Sequence, residues 1–122
     1  MRVVNYQKKI TLIHDGAEDD FLKNDVRIAC PSCHGIVYFG LYNSVDFNRY
    51  DHKKFLARSI RGLRSENGAE NEYRYDNSPL RLSENKCSNG MHKVLAVFTY
   101  KELQPAQYQS YLVGVFDSKN SN

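Results

Sequence analysis

No stretch of this chain of 122 residues is apolar over the roughly 20 positions that a helix needs to span a bilayer. The sequence therefore predicts no membrane-spanning segment. The first nine residues also lack the apolar core of a secretion signal. Together these two absences predict a cytoplasmic protein with no membrane partner.

Cysteine is scarce and excess charge is small. The three cysteines are an odd number, which makes a poor disulfide framework, and cytosolic thiols normally stay reduced. The net charge of +3 is too small to indicate a nucleic-acid partner by itself. A chain of this length fits one domain with a modest core, whose stability an additional cross-link would increase.

The apolar pattern is mainly of the β type. Alternation or short apolar runs predict strands over residues 3–14, 36–42, 80–82, 93–103 and 108–116. The acidic stretch 15–25 is interpreted as a solvated loop. These elements predict an α+β, mainly β, single domain over residues 1–116 that contains a small antiparallel sheet, followed by a flexible tail at 117–122.

One helix is predicted over residues 49–64. Leu56, Ile60 and Leu63 fall at helical spacing, and Gly62 marks a stop. The helix belongs to an inserted arm over about residues 43–79, and the polar stretch 65–79 is predicted to be a mobile loop. The surface of the predicted helix is basic, with Arg49, Lys53, Lys54, Arg58, Arg61 and Arg64.

Thiol and imidazole groups are concentrated in two short segments. The first is Cys30-Pro-Ser-Cys-His-Gly35, and the second is Cys87-Ser-Asn-Gly-Met-His92. Each segment runs directly into an apolar, β-type stretch. Sulfur and imidazole nitrogen are the ligands that tetrahedral zinc prefers, so two such turns indicate one shared metal site. In the first turn, Pro31 fixes an early φ angle and Gly35 is expected to take a positive one.

The first of these turns resembles the knuckle of a zinc ribbon. The resemblance covers the two turns and their strands, about a third of the chain. It implies a structural zinc ion held by two Cys-x-x-Cys turns, but here Gly90 stands in place of the fourth cysteine. The implied ligands are therefore Cys30, Cys33, Cys87 and His92, with one zinc ion per chain. His34 is a reserve ligand, which could replace Cys33 or His92. When residues 33–42 are aligned with 91–100, His34 falls at the same position as His92.

Three other interpretations of the cysteines stay open. Cys-Pro-x-Cys also occurs in thioredoxin-like redox enzymes, although there it opens a helix. A cysteine with a histidine can be a nucleophile, although no protease signature surrounds these thiols. The third interpretation is three unrelated cysteines. With four protein ligands, a zinc site would have no open position, which predicts a noncatalytic protein.

The favoured function is a zinc-stabilised binding module that engages another protein, of the inhibitor or immunity type. The alternative is a zinc-ribbon-like protein that binds nucleic acid through the basic helix, with Tyr50, Phe55, Tyr73 and Tyr75 stacking on bases. A solvated helix face is the ordinary interpretation of such a charge pattern. A thiol-dependent enzyme ranks third.

Overall fold

Antiparallel β-strands make up most of the computed structural model. The model describes residues 3–7, 11–17, 26–31, 33–51, 53–60, 63–65, 73–75, 78–87, 92–105 and 107–119. This confirms the prediction of a mainly β fold that contains an antiparallel sheet and one α-helix. Within the described part of the chain, no helix has the length and apolar character that crossing a membrane would need.

The strands and helices follow one another closely. The strands are β1 (Val3–Gln7), β2 (Thr11–Ala17), β3 (Val26–Ala29), β4 (Ile36–Phe39), β5 (Ser44–Asp46), β6 (Leu63–Ser65), β7 (Tyr73–Tyr75), β8 (Leu80–Lys86), β9 (His92–Thr99), β10 (Lys101–Gln104) and β11 (Gln107–Lys119). A 3₁₀-helix over Phe47–Arg49 follows β5, and helix α1 covers Lys53–Ser59.

The 13-residue strand β11 is the axis of the main sheet. Strands β2 and β1 pair with successive parts of one of its edges, and β10 and β9 pair with successive parts of the other. Beyond β9 the sheet continues through β8 to β5. The strand predicted over 93–103 is divided at Tyr100 into β9 and β10. The strand predicted over 3–14 corresponds to β1 and β2, and residues 8–10 between them lie outside the described residues.

Strand β9 is buried on both faces, which explains its unbroken apolar sequence. Because successive side chains of a strand point to opposite faces, Val94, Ala96 and Phe98 enter one core cluster. Leu95 and Val97 enter a second cluster on the other face. The main sheet is thus the middle layer of the molecule, with a core on each side.

A different part of the chain covers each face. On the first face lies the two-stranded β3–β4 hairpin, which contributes Ile28, Val37 and Phe39 to the core. Phe39 meets Phe98 of β9, and the centroids of the two rings are 5.3 Å apart. The second face is covered by the 3₁₀-helix and α1, through Phe47, Leu56 and Ile60.

The predicted helix over 49–64 is too long. Helix α1 ends at Ser59, and Leu63–Ser65 forms a strand that pairs with β7. Glycine is a poor helix former, and Gly62 lies between the two elements in the sequence. Leu56 and Ile60 do lie in the core as their spacing predicted, because the helical period holds over the single turn that joins them.

Three predicted loops or tails contain strands. Residues 15–17 extend β2, Tyr73–Tyr75 within the predicted mobile loop 65–79 is β7, and residues 117–119 of the predicted tail complete β11. The predicted arm over about 43–79 also begins with β5, which pairs with β8 in the main sheet. Residues 15–17 and 117–119 gain hydrogen bonds from strands distant in sequence, and β7 gains them from the nearby strand β6. Residues 18–25, 66–72 and 120–122 lie outside the described residues.

Shortening Phe98 to alanine should destabilise the protein by about 3–5 kcal/mol, because its fully buried ring joins the hairpin to the main sheet. Denaturant unfolding of Phe98→Ala and the wild type measures the difference. Tyr42→Ala is the matched control, since the Tyr42 side chain is 82% exposed and its loss should change stability by no more than about 0.5 kcal/mol. A Phe98→Ala loss as small as that of the control would contradict this account of the core.

Candidate metal centre

The two cysteine-bearing segments are both hairpin turns. The first joins β3 to β4, and the second joins β8 to β9. In the first turn the backbone N–H of Cys30 donates to the carbonyl of Gly35 at 2.8 Å, and that of His34 donates to the carbonyl of Cys30 at 2.9 Å. The second turn is closed by the N–H of Cys87, which donates to the carbonyl of His92 at 3.0 Å.

The left-handed residue of the first turn is His34. Its φ angle is 62°, whereas Gly35 does not have a positive φ. The prediction that Gly35 would supply this conformation is therefore wrong by one position. A histidine in the left-handed region is uncommon and strained, although histidine enters it more often than most residues do.

Four potential ligands come together where the two turns meet. The Sγ atoms of Cys30, Cys33 and Cys87 and a ring nitrogen of His92 all lie within 4.8 Å of one another. The Sγ atoms of Cys33 and Cys87 are 3.7 Å apart, and Sγ of Cys87 lies 4.0 Å from Nδ1 of His92. These four residues could hold a metal ion, so the predicted meeting of the two turns is confirmed.

The spacing of these atoms suits a small tetrahedral ion. Two sulfurs at tetrahedral corners, each about 2.3 Å from zinc, are about 3.8 Å apart, and a sulfur and a nitrogen are about 3.6 Å apart. The distances of 3.7 Å and 4.0 Å are close to these values, and no two of the four ligand atoms are more than 4.8 Å apart. All three cysteines are free thiols, so none of the sulfurs is occupied by a disulfide.

The cluster lies at the border of the core. Cys30 is 0% and Cys87 3% exposed, and both belong to the core cluster that the β3–β4 hairpin covers. Cys33 and His92 are half-buried. Two ligands are thus shielded from water by apolar side chains, and the other two lie near the surface, where an ion could enter.

Asp117 is a buried neighbour of the cluster that sequence reasoning missed. The Sγ of Cys30 donates to its Oδ2 at 3.6 Å, and the Asp117 side chain is 0% exposed. The sequence pattern predicts Asp117 in the flexible tail, because the apolar pattern of the last strand stops at Phe116. The local sequence does not predict the burial of Asp117, since its contact with Cys30 depends on the pairing of β11 with β9 around Asp117.

The other predicted site residues that the structure describes lie outside the cluster of four. His34, the reserve ligand, is not part of the four-residue cluster. Arg49 lies in the 3₁₀-helix, Lys53, Lys54 and Arg58 in α1, and Arg64 in β6, while Arg61 lies outside the described residues. The Lys53 Nζ donates to the backbone carbonyl of Asn48 at 2.7 Å. The five basic residues that the structure describes therefore do not lie on one helix.

The surroundings of Cys30 differ from those of a redox motif. Strand β3 leads into the turn and β4 follows it, so neither cysteine of this turn opens a helix. A redox motif of the thioredoxin type places its first cysteine at the start of a helix, and this turn has a strand on each side instead.

Comparison of the chain with family models, curated proteins and solved structures found no match. The resemblance to a zinc ribbon therefore rests on the two turns alone and stays a prediction.

We expect the intact protein to bind about one metal ion per chain and to lose it in Cys87→Ser, because three ligands cannot complete the tetrahedron. The variant should also lose about 3 kcal/mol or more of stability, since metal binding to such a site is coupled to folding. Metal analysis by mass spectrometry and denaturant unfolding measure the two effects.

His34→Gly is the matched control. Glycine takes a φ of 62° without strain, and the imidazole that is removed lies outside the cluster. Its metal content should equal that of the wild type. Equal metal content in Cys87→Ser and the wild type would contradict the four-ligand site.

Proposed function

We propose that the cluster binds one structural zinc ion and that the protein is a cytoplasmic, noncatalytic binding module for another protein, of the inhibitor or immunity type. The observation that carries the proposal is the cluster of Cys30, Cys33, Cys87 and His92, which joins two separate hairpins. A metal held there links parts of the chain far apart in sequence and so stabilises the surface presented to a partner.

The choice of zinc and of a structural role follows from the donors. Three thiols and an imidazole suit zinc better than they suit magnesium or calcium, which take oxygen ligands. Four protein ligands leave no position for water or substrate, in contrast to catalytic zinc sites, which keep one open. Thiols that must stay reduced to bind metal also fit a cytoplasmic location.

The binding role is supported by exposed apolar side chains near the first turn. Tyr38 is 52%, Tyr42 82% and Val45 51% exposed, and Ile36 is 36% exposed. All four lie within ten residues of sequence, from the outward face of β4 to β5. Tyrosine is enriched in protein interfaces, and neighbouring exposed apolar side chains often mark them.

Strand β5 adds a second feature that favours a protein partner. Among the described residues it pairs with β8 and has no neighbour on its other side. Such an edge has backbone N–H and C=O groups through which an extended segment of another protein can add a strand. Val45, in the middle of β5, would then contact the side chains of the added strand.

A double substitution, Tyr38→Arg with Tyr42→Arg, tests the binding role. We expect tagged wild-type protein from its own cells to retain one protein in stoichiometric amount, and the double variant to lose it while keeping its metal. The two exposed rings should contribute affinity without stabilising the fold, so unfolding curves should barely change.

Leu103→Arg provides the control, because Leu103 is 50% exposed and lies on β10, a different part of the sheet. It should retain the same protein as the wild type does. If no stoichiometric protein is retained by the wild type, or if the double variant retains it equally well, the binding role assigned to this surface is wrong.

A second candidate function is nucleic-acid binding through the exposed basic side chains of Arg49, Lys54 and Arg58. Among the residues that the structure describes, none of the three is in an ion pair, so their charges are available for phosphates. We expect Lys54→Glu with Arg58→Glu to abolish any retention on RNA or DNA and to reduce the slope of log K against log salt by about 2. Wild-type protein that is not retained even at low salt would remove this candidate.

A further inference from the structure

We propose that a cleft beside the β3–β4 hairpin binds a small monocarboxylate with an aliphatic chain, such as a medium-chain fatty acid. The cleft has a volume of about 380 Å³ and lies between the hairpin and the face of the main sheet formed by β2 and β11. The cleft contains none of the four proposed metal ligands, and it shares Ile36 with the surface proposed for a protein partner.

The floor and walls of the cleft are apolar. Leu112 of β11 and Ile28 of β3 form parts of the core and are 2% and 9% exposed. Ile13 packs against the same core cluster, and Ile36 supplies a more exposed wall. A cleft of this size with aliphatic lining has the character of a small-molecule site, in which buried apolar surface supplies affinity.

Two hydrogen-bond donors line the cleft, and among the described residues that line it none carries a carboxylate. Arg27 is an exposed residue of β3, and His34 belongs to the turn that follows. Among the described residues, neither side chain is in an ion pair or a hydrogen bond. A guanidinium binds a carboxylate through two parallel N–H···O bonds, and the imidazole can donate a further one. The charge of the lining therefore favours an anion.

The conformation of His34 is a second, independent observation. Its φ of 62° is a strained conformation for residues other than glycine, whereas glycine would adopt it without strain. Strained backbone of this kind occurs preferentially where a side chain binds a ligand. Here it places an imidazole in the lining of the cleft and outside the cluster of metal ligands.

The combination of lining groups selects the class of ligand. A phosphate or sulfate would leave the aliphatic floor unused, and a neutral hydrocarbon would leave the guanidinium without a partner. A carboxylate joined to an alkyl chain matches both, with the head group at Arg27 and His34 and the chain against Leu112 and Ile28.

Titration of the intact, metal-analysed protein with sodium octanoate, followed by calorimetry or by amide NMR shifts, tests the site. We expect saturable binding with a Kd on the order of 1 mM, as suits a small ligand in an open cleft. Arg27→Ala and His34→Gly should each weaken it about fivefold or more, because each removes a charge-assisted hydrogen bond. Octanamide, which keeps the chain but not the charge, should bind at least about fivefold more weakly.

Arg49→Ala is the matched control, since it removes an exposed arginine from a different part of the surface and should leave the affinity unchanged. Three results would overturn the site: no saturable binding of octanoate, equal affinity for octanamide, or unchanged affinity in both Arg27→Ala and His34→Gly. If the protein bound a peptide that ends in leucine but did not bind octanoate, the fatty-acid site would also be overturned. The cleft would then be a site for the C-terminus of a polypeptide. Metal content measured on the same samples keeps these results distinct from a failure of the metal site.

Discussion

The convergence of two hairpin turns on one cluster of sulfur and nitrogen atoms is the constraint on which the arrangement of the molecule depends. The β3–β4 hairpin is a sheet of its own among the described residues and shares no backbone ladder with the main sheet. Its position is set by packing, chiefly of Phe39 on Phe98, and by the four residues that could hold a metal. Packing alone is not directional, whereas metal coordination fixes distances and angles. A bound ion would therefore turn a packed hairpin into one with a defined orientation.

The main sheet makes that arrangement possible because it is buried on both faces. Strand β9 sends alternate side chains into two cores, so one face receives the β3–β4 hairpin and the other receives the 3₁₀-helix and α1. The long strand β11 runs under both the metal cluster and the cleft, through Asp117 and Leu112 respectively. The features with proposed roles on the hairpin face thus share one support, while the 3₁₀-helix and α1, which carry Arg49, Lys53, Lys54 and Arg58, cover the opposite face.

The β3–β4 hairpin connects the proposals with one another. Its turn provides Cys30 and Cys33 to the cluster, its outward face carries Tyr38, and its first strand carries Arg27 beside the cleft. A hairpin this short has little stability of its own and needs packing or a metal to hold its shape. A structural ion at its turn would order the exposed tyrosines and the cleft at the same time, which gives a physical reason for a small protein to keep such a site.

The sequence by itself determined the features that depend on neighbouring residues. The spacing of Cys30 and Cys33 predicted the first turn, the apolar run after residue 93 predicted a strand where β9 lies, and the helical period placed Leu56 and Ile60 on one face. Only the tertiary structure decided the end of helix α1, the break between β9 and β10, the left-handed conformation of His34 and the burial of Asp117 against Cys30, 87 positions away. These depend on which strands pair and in what register, and strand pairing between distant segments is set by the packing of the whole sheet.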